Sequence, residues 1–122
     1  MADTPPPFDL QVRSGQVSGS TVISASGPLV IDHLFQFQNA WRADQSPILI
    51  FDLRGAVYID SSAIGSLVNA HVHLSKNGRQ MALAAVTDRV KQALVITKVA
   101  TLFRFYSSVD EAEAALAESL PA

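Results

Sequence analysis

Asp60, Ser61 and Ser62 are the densest group of chemically capable side chains in this chain, and they close the stretch FDLRGAVYID from Phe51 to Asp60, just before a helical pattern. An acid followed by two hydroxyls at that point has two readings. Asp and Ser are strongly preferred at a helix N-cap, where a side-chain oxygen accepts a backbone N–H of the first turn. The same spot presents unpaired N–H groups and the positive end of the helix dipole, so it also suits a reversible anion such as a phosphate ester on a serine. The tripeptide on its own leaves both readings open.

Other chemistries have less behind them. His71 and His73 stand two apart in a helical stretch and so diverge, while His33 has no partner nearby in sequence; joint metal binding does not follow from that spacing. A triad from Ser61, a histidine and Asp60 would lack a GxSxG elbow and would place the acid beside the nucleophile, which leaves hydrolysis a minor alternative. The chain has no cysteine, which removes disulfides, thiolate catalysis and Cys-based metal sites. No glycine-rich loop is built to cradle phosphates. The expectation is therefore a protein without metal, cofactor or turnover.

Composition narrows the class further. At 122 residues and 48% hydrophobic content the chain has the size of one ordinary domain, and it carries 9 basic against 11 acidic residues. A net charge of −2 supplies no basic field for nucleic acid or anionic lipid, so no direct nucleic-acid binding is expected. Met1 to Pro7 lack the basic and apolar regions of a leader, and no apolar run reaches the ~20 residues that span a bilayer. No membrane insertion and a cytoplasmic location are expected.

The elements that must position Asp60 to Ser62 can be traced along the chain. Three consecutive prolines, Pro5 to Pro7, suggest a loose arm over residues 1–7, with one domain following over residues 8–120. Alternation over Phe8 to Val12 and a second run over Val17 to Ala25 predict a strand pair, and Ser26, Gly27 and Pro28 punctuate its end. Ile31, Leu34, Phe35 and Trp41 then share helical spacing up to Ala43; a helix of this period commonly buries Phe35, Phe37 and Trp41, although an exposed aromatic patch is the alternative. Ile48 to Phe51 is a continuous apolar run of the kind buried on both faces of a parallel sheet. A loop from Arg54 to Asp60 leads into a helix using Ile64, Leu67, Val68, His71 and Leu74, stopped at Asn77 and Gly78.

Beyond it, Met81 to Val86 predicts a strand. Thr87 or Asp88 caps a third helix with Val90, Ala93, Leu94 and Thr97 on one side, and Leu102 to Tyr106 forms a short strand. Ser108 with Glu111 resembles a capping box for a last helix through Val109, Ala112, Leu116 and Leu120, with Pro121 beyond. Alternating strands and helices imply right-handed crossovers. The expected fold is α/β, with a mixed, largely parallel central sheet of four to five strands flanked by about four helices.

Asp52, Leu53, Gly55, Ile59, Asp60, Ser61, Ser62 and Gly65 resemble the DLxGxxxIDSSGLG signature of anti-sigma-factor antagonists, whose domain is of the STAS type. The stretch VKQALVITKVATLFRFYSSVDEAEAAL, Val90 to Leu116, is similar to a second family pattern, with Lys98 where the family often has glycine. The resemblance implies a bacterial phosphoprotein that regulates transcription without touching DNA. Its implied partners are an anti-sigma factor with serine kinase activity, which the unphosphorylated form sequesters to free a sigma factor, and a phosphatase that resets it. Ser61 is the phosphorylation site by position, and Tyr58, Ile59, Asp60, Ser61 and Ser62 form the implied partner surface. Ser62 is expected to matter for helix capping more than for phosphate uptake. The segment SGPLVI, Ser26 to Ile31, is closer to the STAS appendages of sulfate transporters, which keeps a regulatory or scaffold subunit of a transporter or signalling complex as the alternative.

Overall fold

In the computed structural model residues 7–118 are described; most of the expected arm, together with Leu120 and Pro121, lies outside the described residues. The elements follow in the order β1 (Asp9–Ser14), β2 (Ser20–Leu29), α1 (Leu34–Ala43), β3 (Ile48–Asp52), β4 (Ala56–Ile59), α2 (Ser61–Lys76), β5 (Gln80–Ala84), α3 (Asp88–Ile96), β6 (Phe105–Tyr106) and α4 (Val109–Ala117). Short 3-10 turns lie at Ile31–His33 and Ala100–Leu102. The main path of the sheet runs β1-β2-β3-β5-β6, and β4 pairs with the far end of β2. Among the described residues only the β1–β2 pair is antiparallel.

The apolar run Ile48–Phe51 becomes the central strand, and all of β3 is buried because both faces are covered. Leu49 and Phe51 face the larger core, which takes Phe37 and Trp41 from α1, Ile64, Leu67 and Leu74 from α2, and Val90 and Leu94 from α3. Ile48 and Ile50 face α4, which contributes Ala112 and Leu116. Each fully buried Leu, Ile or Phe stabilises the fold by about 1.5–3 kcal/mol, so this strand organises both layers. No helix among the described residues is long and apolar enough to cross a membrane.

The fold class is as expected, with four local differences. The sheet has six strands rather than four to five, because Ala56–Ile59, read as loop, pairs with Gly27–Leu29 of β2. β2 continues through the expected breakers Ser26, Gly27 and Pro28: the register shifts at Gly27/Pro28, and a bulge there accommodates both a glycine with φ +84° and a residue without an N–H. The expected stripe of the first helix divides, with Phe37 and Trp41 buried but Phe35 and Ile31 exposed. Leu102 belongs to a 3-10 turn, which shortens β6 to two residues.

Candidate functional site

β3 ends at Asp52, and the chain turns through Arg54 and Gly55 into β4. The turn is tight against β2: the N–H of Gly27 donates to the carbonyl of Gly55 at 2.8 Å. A Cβ on Gly55 would lie 2.5 Å from the Cβ of Ser26, so only glycine fits this approach. β4 then delivers Tyr58 outward, with the Arg89 guanidinium 5.3 Å from its ring centroid, and Ile59 inward at 8% exposure. Ile59 therefore supports the site from beneath, because a strand side chain between two outward neighbours points into the core.

Asp60 is the N-cap of α2. Its Oδ1 accepts from the N–H of Ala63 at 3.0 Å, and its Oδ2 accepts from the N–H of Ile31 at 2.9 Å. One carboxylate thus ties the helix start to the segment that opens the first helix. The capping role belongs to Asp60; Ser62, expected to bear on capping more than on phosphate uptake, is the second residue inside the helix and half-buried, and the cap bond is made by Asp60 instead. Ser61 is the first helical residue and is exposed. The first turn of α2 carries no acidic side chain, and N–H groups at the first two helical positions have no acceptor within a helix. With both Asp60 oxygens engaged, the Ser61 hydroxyl stands exposed at the positive end of the helix.

The body of α2 is held in place by a contact the sequence pattern concealed. Trp41 of α1 donates from Nε1 to Oγ of Ser66 at 3.1 Å, with Ser66 1% exposed. A buried indole with its hydrogen bond met fixes the two helices side by side. The three histidines have separate surroundings: His33 stacks on Phe8, His71 meets Phe103 edge-on, and His73 is tilted against Trp41. A cleft of about 240 Å³ lies at the ends of β3 and β5 beside the start of α4, lined by Arg13, Asp52, Arg54, Ser107 and Ser108; Ser61 is not part of it.

A family model described as STAS domain matches residues 13–112, from the end of β1 through β2 to β6 and the capped α2 start to the first turn of α4. This chain belongs to the STAS domain family. Its fold is similar to that of an anti-sigma factor antagonist from Mycobacterium paratuberculosis, at 21% identity and TM-score 0.80 over 91% of this chain and 95% of that one. It is also similar to the STAS domain of a SulP transporter from Vibrio cholerae, at 25% identity and TM-score 0.68 over 88% of each chain. A STAS-domain containing protein of Pseudomonas aeruginosa is 36% identical over 55 residues, a match that covers 45% of this chain and 54% of that protein. The match thus spans about half the length of that curated relative.

Proposed function

We propose that this STAS domain is an anti-sigma-factor antagonist, a binding module switched by phosphorylation of Ser61 and acting without catalytic turnover. Unphosphorylated, it sequesters an anti-sigma factor that is itself a serine kinase and thereby frees a sigma factor; that kinase phosphorylates Ser61, and a phosphatase resets the domain. The observation that carries the reading is the exposed Ser61 hydroxyl at the first position of a helix whose cap is already filled by Asp60. The partner surface comprises Tyr58, Ser61 and Ser62, with Asp60 and Ile59 holding them in position.

The physics is local. A phosphoserine brings ≈ −1.5 to −2 charges, which the helix start accepts within this domain while acidic groups or ATP phosphates on a kinase repel them. Incubation with the kinase and ATP should add one phosphate, located on Ser61 by mass spectrometry. In calorimetric titration Ser61→Ala should bind the kinase as the unmodified protein does, and Ser61→Asp should bind about tenfold or more weaker, about 1.4 kcal/mol. Phosphate on another residue, or equal affinity of the two variants, would sink the switch.

A second reading, a regulatory or scaffold subunit of a transporter or larger complex, draws on the Ser26 to Ile31 sequence and on the likeness to the SulP transporter domain. Co-purification from the native cell separates the two. A kinase recovered with the domain supports the first, and a membrane transporter the second.

A further inference from the structure

β1 ends the sheet, and among the described residues its outer edge pairs with nothing. Such an edge is a template for another strand, and proteins commonly blunt it with charged side chains, proline, a bulge or a very short strand. Here it is six residues long with a continuous register against β2. The two charges it carries are opposite in sign, Asp9 and Arg13, and Val12 is 55% exposed.

The phase of the hydrogen bonding decides which backbone groups are free. The N–H of Gly15 donates to the carbonyl of Ser20, which extends the register of Arg13 against Val22 by two residues. Hydrogen-bonded pairs alternate in an antiparallel ladder, so Asp9, Gln11 and Arg13 spend their backbone groups on β2, and Leu10 and Val12 direct theirs outward. The side chains divide by the same period. Leu10 packs against the edge of the larger core, on the face of α1 to α3, whereas Gln11 donates to Asp9 on the opposite face.

We propose that the partner of this edge is β1 of a second copy of this chain, paired antiparallel about a two-fold axis at Gln11. In that register Asp9 lies opposite Arg13 of the second copy and Arg13 opposite its Asp9, as non-hydrogen-bonded pairs, where side chains come closest. Leu10 lies opposite Val12 of the second copy, and these pairs carry the new backbone hydrogen bonds. The pattern is self-complementary, as a two-fold interface requires. A shift by one residue would set the charged face against the apolar one, and a shift by two would leave both charges unmatched. The strand edge alone buries less than a standard interface, so the dimer is reversible and dissociates on dilution.

Sedimentation velocity of the full chain over a concentration series should show a monomer–dimer equilibrium. Arg13→Asp, which sets Asp9 against an acid, should shift the protein to monomer at the concentration where the unaltered chain is mostly dimer. The double exchange Asp9→Arg with Arg13→Asp restores complementarity and should restore the dimer. Val12→Pro should also give a folded monomer by circular dichroism, since the N–H it removes points away from β2. If that variant unfolds, the charge exchange alone decides. A monomer at every concentration, a dimer that survives Arg13→Asp, or a double exchange that stays monomeric would overturn the proposal.

Discussion

α2 and α3 are built to one plan and finished differently. Each starts at a side-chain cap, Asp60 and Thr87, and each ends in a Schellman motif with a residue in the left-handed conformation. In α2 the N–H of Gly78 donates to the carbonyl of Ser75 and that of Arg79 to Leu74; in α3 the N–H of Lys98 donates to Val95 and that of Val99 to Leu94. The left-handed residue is glycine in the first helix, at φ +69°, and lysine in the second, at φ +65°. At the other end, α2 carries its carboxylate at the cap, Asp60, and none in its first turn, whereas α3 has a neutral cap and carries Asp88 at its first helical position. The helix that carries Ser61 is thus relaxed at its end and presents an exposed hydroxyl at its first position, where its neighbour has a strained end and a carboxylate. A switch residue works best on a helix that does not move when its charge changes, and α2 is fixed in that sense.

Removing the caps should give the largest effect and separate the two starts. Thr87→Ala removes one acceptor from the N–H of Val90 and should cost about 1 kcal/mol. Asp60→Ala also releases the N–H of Ile31 and should cost about 1.5–2 kcal/mol in chemical denaturation. Equal losses would mean that the Ile31 tie contributes nothing and that Asp60 is a cap like any other.

The helix ends offer a smaller and oppositely signed pair. Gly78→Ala should lose about 1 kcal/mol by backbone strain alone, because an added Cβ there meets nothing within 4 Å. Lys98→Gly relieves the same strain but adds freedom to the unfolded chain, so it should gain somewhat less than about 1 kcal/mol. Thermal or urea midpoints that move in the same direction for both variants would break the comparison.

How far the sequence reveals these features follows from what each signal is made of. Ile48 to Phe51 and the α2 stripe are legible because burial on two faces or on one helical side leaves a periodic trace. β4 leaves none: its four residues pair only with the bulged end of β2, and Gly55 ahead of it reads as a break. β2 is underestimated for the related reason that Gly27 and Pro28 mark loops unless a bulge absorbs them. Ile31 and Phe35 fit a helical stripe yet stay exposed, since the chain turns as a 3-10 segment before α1 begins. At the site, Ser61 is legible from its motif and position. The second bond of Asp60 is not, because it depends on Ile31, distant in sequence. Glu113 escapes altogether: only packing reveals that it is 2% exposed and accepts from the N–H of Val17 at 2.8 Å.

The smallest expected effect on stability bears most directly on function. Ser61 occupies the first helical position, where its side chain is exposed and the cap is already supplied by Asp60, so Ser61→Ala should change unfolding free energy by no more than about 0.5 kcal/mol. Alanine is also the better helix former, which offsets any small loss of solvation at the helix start. A near-zero change, measured beside the roughly 1 kcal/mol loss for Thr87→Ala, would establish that the hydroxyl is free of structural duty. Phosphorylation would then add charge to the surface without taking a hydrogen bond from the fold. A loss above about 1 kcal/mol would instead assign Ser61 a share of the cap. In that case phosphate transfer would have to disrupt the start of α2, and the two helices would no longer differ where the proposed switch needs them to.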